Sequence, residues 1–291
     1  MIAGNGENEC LAPIHYCMKI SKVYNETMDL KDSGHTTKQQ LAADWLPRYT
    51  GMPINHFGEY ILLTNFSYYL NTFVEMFGCE LHGRGRPMQA ATNDHNLTLI
   101  NFGIGSPNAA LIMDLLTAVP AKGVLFLGKC GGLKQASEIG HFILPIAAIR
   151  GEGTSADYFP PEVPALPSFK LHKFVSQKIN DHGQDYRSGV VYTTNRRVWE
   201  HDRDFLRRLQ EMKVIAIDME TATIFIVGHR NEIARGALLL VSDVPITPDG
   251  VKTEESDQRV TREWADRHLQ IGIEAMTEID AQGEPIKHFR Y

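Results

Sequence analysis

Two apolar runs in the second half of the chain end in acidic side chains, and this feature constrains the fold more than any other. Residues 214–220 read VIAIDME, and residues 237–243 read ALLLVSD. Short, strongly apolar runs of this kind predict strands that are buried on both faces of a sheet. Open α/β sheets bind ligands at the carboxyl ends of their strands. The pattern therefore predicts a ligand site at a sheet edge, where each of the two strands delivers a carboxylate.

The rest of the chain alternates apolar runs with helical patterns. Besides the two acidic runs, strands are predicted at residues 60–64, 97–102, 123–127, 141–149 and 189–193. Helices are predicted at residues 68–77, 108–118, 169–180, 203–212, 220–230 and 258–281. This β-α-β alternation is typical of an α/β fold with a largely parallel sheet.

The beginning of the chain differs from the remainder. Residues 1–47 are polar and weakly periodic, apart from a short helical pattern at residues 37–45. We therefore predict an N-terminal arm over residues 1–47 and one large α/β domain over residues 48–291. With 291 residues, 43% of them hydrophobic, the chain has enough apolar material for such a core.

The composition of the chain indicates which kinds of molecule it binds. The net charge of −6 at pH 7 gives no general attraction to nucleic acid or to an anionic membrane. No apolar run reaches the ~18 residues that a membrane span needs, and the start of the chain lacks a secretory signal. The four cysteines show no C-x-x-C spacing, which favours reduced thiols in a cytoplasmic setting. We expect a small-molecule substrate, with no nucleic acid and no membrane as partners.

Two glycine-rich turns follow predicted strands. In residues 103–107, GIGSP, the amide of Gly105 is placed to face an anion or a sugar hydroxyl, although a tight turn without a ligand explains the same glycines. In residues 128–132, GKCGG, Lys129, Cys130 and Gly131 form a cationic rim suited to a phosphate or a polarised oxygen. An ordinary turn with a solvated lysine is the alternative, and the residues alone leave both interpretations open.

The acids at the strand ends suit different tasks. Glu220 has two acceptor oxygens for vicinal ribose hydroxyls, whereas Asp218 is better explained as a helix cap. Asp243 is followed by Val244 and Pro245, so the chain turns at once and we expect the carboxyl group in a partly dry rim. Burial there would raise the pKa of Asp243 and make it a proton donor.

Other chemistries also use paired acids. A metal pair or a glycosidase acid and nucleophile would do so, but no histidine lies at helical spacing with a carboxylate nearby. We therefore expect no metal and no cofactor. Arg197 and Trp199 follow another predicted strand and offer a cation and an aromatic face, which suits a base or a phosphate as well as plain packing.

Taken in order, the motifs Gly-Ile-Gly-x-Pro, Gly-x-Cys-Gly-Gly, Asp-Met-Glu and a final Ser-Asp resemble the nucleoside phosphorylase/nucleosidase superfamily. Within it the chain is most similar to the AMP nucleosidases, over residues 45–275. The segments that carry this similarity are RYTG at 48–51, LTN at 63–65, GKCGGL at 128–133, AIDME at 216–220, VSD at 241–243 and HLQIGI at 268–273. The resemblance implies a three-layer α/β/α phosphorylase-like fold around a twisted mixed sheet, with residues 48–291 as the nucleosidase catalytic domain.

The resemblance also implies a reaction, the hydrolysis of AMP to adenine and ribose 5-phosphate. Asp243 is then the general acid that protonates the departing purine at N7. Ser242 orients that contact, Glu220 binds the ribose hydroxyls, and Met219 packs against the sugar. The 5′-phosphate needs cations that a plain nucleoside site does not, and the candidates are Arg48, Lys129 and Arg197. Trp199 is the candidate for stacking on adenine.

Departures from the family pattern favour water as the nucleophile. Phe126 stands where related phosphorylases carry an arginine, and the turn at residues 64–67 lacks a second one. A phosphate nucleophile would lack these clamps. Two alternatives remain open, namely a phosphorylase or nucleosidase for unphosphorylated purine nucleosides and a non-catalytic nucleotide-binding protein.

Assembly and regulation are expectations of the resemblance alone. The superfamily implies a homo-oligomer, with a hexamer as the expected form. Larger AMP nucleosidases carry an N-terminal regulatory domain, and the short first 45 residues leave no room for one. We therefore expect a short form in which allosteric control by ATP or inorganic phosphate is missing or altered.

Overall fold

The computed structural model describes residues 36–134, 136–247 and 250–281. Within these ranges eight strands form one sheet. The strands are β1 (Tyr60–Thr64), β2 (Gln89–Thr92), β3 (Leu97–Asn101), β4 (Gly123–Gly132), β5 (Phe142–Gly151), β6 (Tyr186–Thr194), β7 (Ala216–Asp218) and β8 (Arg235–Asp243). The α-helices are α1 (Lys38–Thr50), α2 (Ser67–Phe77), α3 (Ser106–Leu115), α4 (Phe169–Asp181), α5 (Arg203–Glu211), α6 (Thr221–Arg230) and α7 (Glu254–Ala281).

The sheet is mixed and partly closed on itself. Its strand order is β2-β3-β1-β4-β7-β6-β5-β8, and β8 also pairs with β4. Strands β4, β7, β6, β5 and β8 therefore form a ring. The β2–β3, β4–β7 and β5–β8 pairs are antiparallel and the other pairs are parallel. The expected mixed sheet is confirmed, whereas the edge strand β2 has no counterpart among the predicted strands, because its sequence QAAT offers a single β-branched residue.

The central strands bury both of their faces. On β1, Ile61 and Leu63 belong to one core cluster and Leu62 to another, as the two-residue period of a strand requires. Helices α1, α3 and α6 contribute side chains to the first cluster, and helices α2, α4 and α7 contribute to the second. The predicted three-layer α/β/α arrangement is confirmed, with helices on each side of the sheet.

Three strands position the acidic residues at one edge. Strand β4 pairs in parallel with β8, and a bulge interrupts the register between Cys130 and Gly131. Gly131 pairs with Asp243 at the end of β8 and also with Ile217 of β7. The ends of β7 and β8 therefore flank the last residues of β4, and the predicted convergence of two acidic strand ends is confirmed.

The first described helix crosses the predicted boundary between arm and domain. Helix α1 runs from Lys38 to Thr50, and the compact unit that contains the sheet begins at Gln39. Ala42 and Leu46 of this helix are buried in the core, so the division at residues 47 and 48 falls inside a helix. Most of the predicted arm, residues 1–35, lies outside the described residues, and the arm stays a prediction. No helix in the described ranges combines the length and apolar character needed to cross a membrane.

Candidate active site

A cavity of about 160 Å³ opens at the edge where β4, β7 and β8 meet. Its wall includes residues from these strand ends, from the turn after β1 and from the loop after β6. The sequence-predicted site residues on this wall are Lys129, Cys130, Gly131, Arg197, Trp199, Met219, Glu220, Ser242 and Asp243. The fold thus brings together residues that are separated by more than a hundred positions in sequence.

Asp243 lies in a setting that favours its protonated form. The residue is 9% exposed, and the hydroxyl of Ser242 donates to its Oδ1 at 2.7 Å. Burial raises the pKa of Asp243, while the Ser242 hydrogen bond and the charges of Lys252 and Arg197 oppose the rise. Close packing fixes the carboxyl group, since a Cβ at Gly131 would lie 3.3 Å from Asp243 Oδ2. The predicted partly dry rim is confirmed.

Glu220 is held by donors from two other segments. Its Oε1 accepts the backbone N–H of Gly105 at 2.7 Å and the side-chain amide of Asn65 at 3.3 Å. Burial and the neighbouring charge of Asp218 raise the pKa of Glu220 to about 8, whereas the N–H donors, including that of Met219, favour the charged form. A cation that develops beside this carboxyl group would further favour its ionised form.

Asp218 has a structural task at the start of α6. Its Oδ2 accepts the backbone N–H groups of Glu220 at 3.1 Å and Thr221 at 2.7 Å. Its Oδ1 accepts the hydroxyl of Thr193 at 2.7 Å. These contacts satisfy the amide of Glu220, which occupies the N-cap position, and the first amide of the helix. Asp218 thus supports the helix start, as its interpretation as a structural residue expects, from two positions before the N-cap. The same contacts fix the backbone that presents Glu220.

Lys129 is anchored within the protein. Its side chain is 4% exposed, and its Nζ donates to Asp257 Oδ1 at 2.7 Å and to Thr261 Oγ1 at 2.8 Å. The same ammonium group lies 4.5 Å from the centroid of the Phe66 ring, which is the geometry of a cation–π contact. The solvated-lysine interpretation is therefore wrong. Lys252 also contacts Asp257 Oδ1, at 2.8 Å, and lines the cavity.

The loop after β6 brings a cation and an aromatic ring to the cavity. The Arg197 guanidinium lies 3.1 Å from Glu200 Oε1 and its side chain is 60% exposed. Trp199 is buried and packs edge-on against Phe205, with 5.7 Å between ring centroids. Plain packing therefore accounts for much of Trp199, while Arg197 retains access to the cavity and to solvent.

Two predicted residues lie elsewhere or have other partners. Arg48 is in the last turn of α1 and forms an ion pair with Asp44 of the same helix at 2.7 Å. It is not among the residues that line the cavity within the described chain, so its predicted contact with the substrate is not made by this arrangement. The backbone amide of Gly105 donates to Glu220, and thus supports a site residue where the sequence predicted direct substrate contact.

Sequence reasoning missed several residues of the cavity wall. Asn65 follows β1 directly, and the rule that sites form at carboxyl ends of strands was signal enough to identify it. Its Nδ2 binds Glu220, while its buried Oδ1 has no hydrogen-bond partner among the described residues. Glu200 and Lys252 lie in polar loops, where charged side chains are usually solvated and carry no distinguishing pattern.

The described residues form no metal-binding cluster. Across residues 36–134, 136–247 and 250–281, no group of three or more histidine, cysteine or acidic side chains is arranged to hold a metal ion. The free cysteines described are Cys79 and Cys130. Burial raises the pKa of the Cys130 thiol well above its usual value, so this group stays a neutral packing residue in the cavity wall.

Comparisons with known proteins agree with this arrangement. Residues 59–278 match the model of the phosphorylase superfamily. AMP nucleosidase from Escherichia coli strain K12 is 30% identical over 287 residues, covering 82% of this chain and 58% of that protein. The chain thus spans a little over half the length of that relative. A guanosine phosphorylase from Halorubrum lacusprofundi is 27% identical over 193 residues, covering 65% of this chain and 79% of the relative.

Two solved structures resemble this chain in their fold. The crystal structure of AMP nucleosidase from Bacteroides thetaiotaomicron VPI-5482 has a TM-score of 0.76 and 48% sequence identity, covering 85% of this chain and 99% of that one. Uridine phosphorylase from Vibrio fischeri ES114 has a TM-score of 0.67 at 21% identity, covering 78% and 94% of the two chains. The second likeness concerns the fold alone.

Proposed function

The chain belongs to the phosphorylase superfamily, and from that membership we propose that it is an N-glycosyl hydrolase that cleaves AMP into adenine and ribose 5-phosphate. The observation that carries the proposal is the pair of buried carboxyl groups, Asp243 and Glu220, on one cavity wall. The similarity of the chain to AMP nucleosidases from Escherichia coli and Bacteroides thetaiotaomicron supports AMP over other nucleotides.

Asp243 supplies the proton that makes adenine a leaving group. As the bond between C1′ and N9 breaks, the electron pair moves into the purine, and Asp243 donates its proton to N7. Water then forms a bond to C1′ of the cationic sugar and loses a proton to solvent. Asp243 is reprotonated before the next turnover, so the sum is AMP plus water giving adenine plus ribose 5-phosphate. The raised pKa of Asp243 supports this role.

The remaining wall residues bind and orient the sugar. Glu220 accepts the vicinal ribose hydroxyls and its charge stabilises the cationic ring. Met219 packs against the sugar, and Ser242 holds the Asp243 carboxyl group through the 2.7 Å hydrogen bond. The cavity edges of Cys130 and Gly131 shape the space next to Asp243.

Cations at the cavity are candidates for the 5′-phosphate. Lys129 and Arg197 line it, whereas Arg48 would reach a phosphate only in the cavity of another copy. Water is the proposed nucleophile, because Phe126 is fully buried and packs against Phe102 at 5.9 Å between ring centroids. That position therefore supplies no cation to clamp inorganic phosphate.

Product analysis tests the proposal. Incubation of the purified protein with AMP in phosphate-free buffer should release adenine and ribose 5-phosphate. A requirement for added phosphate, with ribose 1-phosphate as product, would instead identify a phosphorylase. Turnover of adenosine without turnover of AMP would identify a nucleosidase for unphosphorylated substrates, and AMP binding without any turnover would identify a non-catalytic binding protein.

The proposed cellular location and the proposed oligomer follow from the same family. We place the enzyme in the cytoplasm, acting in purine salvage as a homo-oligomer, with a hexamer as the expected form. Exposed apolar side chains support self-association, and they include Ile146, Leu166 and Phe169, the last of which is 84% exposed. Sedimentation analysis that finds a monomer at enzyme concentrations of the assay would contradict the oligomer.

A further inference from the structure

A charged cluster of Lys129, Lys252 and Asp257 lies beside the proposed substrate cavity. The two ammonium groups contact the same oxygen, Asp257 Oδ1, at 2.7 and 2.8 Å. The ring of Phe66 lies 4.5 Å from Lys129 Nζ and 5.9 Å from Lys252 Nζ. Two positive charges thus share one negative charge, and the cluster carries a net charge of about +1 when its groups are ionised.

The cluster retains hydrogen-bond donors after its internal contacts are made. An ammonium group has three N–H donors. On Lys129, Asp257 and Thr261 take two of them, and on Lys252, Asp257 takes one. Both lysines are on the cavity wall. Donors from two different segments are therefore available to one acceptor-rich ligand that enters the cavity.

Burial makes the uncompensated charge significant. The side chains of Lys129 and Lys252 are 4% and 18% exposed, so salt screens them less than it screens surface lysines. Burial lowers the pKa of Lys129, and Asp257 opposes that change. Burial would raise the pKa of Asp257, but hydrogen bonds from both lysines hold it below its usual value. An anion in the cavity would relieve the excess of positive charge.

We propose that Lys129 and Lys252 together bind a phosphate group, and that Asp257 holds both ammonium groups in place while the site is empty. The phosphate is either the 5′-phosphate of the nucleotide or inorganic phosphate, since both offer the same oxygens and charge. The first source rests on the proposed function, because only a nucleotide substrate brings its own phosphate. Lys252 is the new member of the site, and Asp257 is a positioning residue.

The test compares Lys252→Met with the control Lys122→Met. Lys122 also forms a 2.7 Å ion pair, with Glu59, but it precedes β4 at the end of the strand opposite to Lys129 and does not line the cavity. KM and kcat are measured for AMP and for adenosine, together with the inhibition constant of inorganic phosphate. If the cluster binds the 5′-phosphate, Lys252→Met should raise KM for AMP about tenfold more than it raises KM for adenosine, because any effect of the lost charge on Asp243 is common to both substrates.

Inorganic phosphate gives a different pattern. If the cluster binds inorganic phosphate instead, Lys252→Met should raise the inhibition constant of phosphate about tenfold. The ratio of KM for AMP to KM for adenosine should then not change. Asp257→Asn should act in the opposite direction and tighten phosphate binding, because it removes the competing negative charge and keeps an acceptor oxygen. Lys122→Met should alter none of these values. The proposal is overturned if Lys252→Met changes neither the ratio of KM for AMP to KM for adenosine nor the inhibition constant of phosphate.

Binding without turnover separates this inference from the proposed function. Calorimetry with inorganic phosphate and with ribose 5-phosphate, on the wild-type protein and Lys252→Met, requires no reaction. If the wild-type protein fails to cleave AMP but binds these anions through Lys252, the proposed function fails and the anion site stands. If AMP is cleaved and neither anion depends on Lys252, the function stands and the anion site fails.

Discussion

At the scale of single residues, three buried carboxyl groups differ in the donors that surround them. Asp218 accepts hydrogen bonds from Thr193, Glu220 and Thr221, and these contacts give it a structural role. Glu220 accepts from Gly105, Asn65 and its neighbour Met219. Asp243 accepts from the Ser242 hydroxyl. With one side-chain donor on its carboxyl group and a pKa raised by burial, Asp243 is suited to deliver a proton to a leaving group.

Replacing Asp243 with a residue that cannot donate a proton should abolish most of the activity. Asp243→Asn keeps the shape of the side chain but cannot act as an acid, so kcat should fall about 10²- to 10⁴-fold while AMP binding is largely kept. Steady-state kinetics and equilibrium binding of AMP measure the two effects. Near-normal kcat in a correctly folded variant would remove Asp243 from the mechanism.

Ser242 should set the pH range in which Asp243 works. A general acid must be protonated, so kcat should fall as pH rises through the pKa of Asp243. Ser242→Ala removes a donor that favours the charged carboxylate, which should raise the pKa of Asp243 and move this alkaline limb to higher pH. The pH profile of kcat for both proteins gives the answer, and a shift to lower pH would contradict the assignment.

At the scale of elements, the junction between β7 and α6 holds the sugar-binding residue in place. Strand β7 has three residues and ends at Asp218, and α6 starts at Thr221. Glu220 lies between them with a backbone conformation outside the helix, so the hydrogen bonds to Asp218 are what fix its direction. The N-cap residue Asp202 starts α5 by accepting the N–H of Phe205.

The two aspartates predict different outcomes for the same substitution. Asp218→Ala leaves several buried donors without partners, and we expect the free energy of unfolding to fall by about 2–3 kcal/mol with a loss of kcat/KM. Asp202→Ala should cost about 1 kcal/mol and affect kcat/KM much less. Denaturant unfolding and kinetics on both variants test this, and equal effects on kcat/KM would show that Asp218 does not position Glu220.

At the scale of the whole molecule, two buried histidines connect outer helices to β8. His268 of α7 hydrogen-bonds Tyr69 through Nδ1 and the carbonyl of Leu238 through Nε2. His172 of α4 accepts the backbone N–H of Ala237 through Nε2. The His172 contact requires a neutral ring, because Nε2 accepts the N–H of Ala237, whereas His268 donates its Nε2 proton to the Leu238 carbonyl. Burial keeps both rings neutral, since it lowers the pKa of His268 to about 3 and that of His172 to about 4.

These shifts predict a loss of stability in acid. An unfolded histidine binds its proton near pH 6.5, so the unfolded state takes up protons that the folded state excludes as the pH falls below that value. The stability is complete above about pH 6.5 and falls toward pH 4, by about 2–3 kcal/mol for each histidine between pH 6.5 and pH 4.5. Denaturant unfolding across this range measures the slope.

A matched pair of variants assigns the slope to the buried rings. His268→Gln keeps an amide donor for the Leu238 carbonyl and removes one titrating group. The slope of the free energy of unfolding against pH should therefore decrease by the equivalent of about one proton taken up on unfolding. His201→Gln replaces an exposed histidine and should leave the slope unchanged. An unchanged slope in His268→Gln would contradict the assignment.

Local sequence predicted most elements because their signals are local. The strand predicted at residues 60–64 and the start of the helix predicted at residue 169 coincide with the structure, since apolar period and turn residues act over a few positions. Strand β4 extends to Gly132, past the predicted end at residue 127. Its glycines oppose strand propensity, and only pairing with β7 and β8 keeps this end extended.

The sequence by itself determined the order of strands and helices and the delivery of acids at two strand ends, because hydrophobic period and short-range turns depend on neighbouring residues. Only the tertiary structure decided which side chains meet. The antiparallel run of β7, the burial of Lys129 against Asp257 and the support of Glu220 by Asn65 all join segments far apart in the chain. Such contacts depend on register and packing across the whole sheet, which no local pattern specifies.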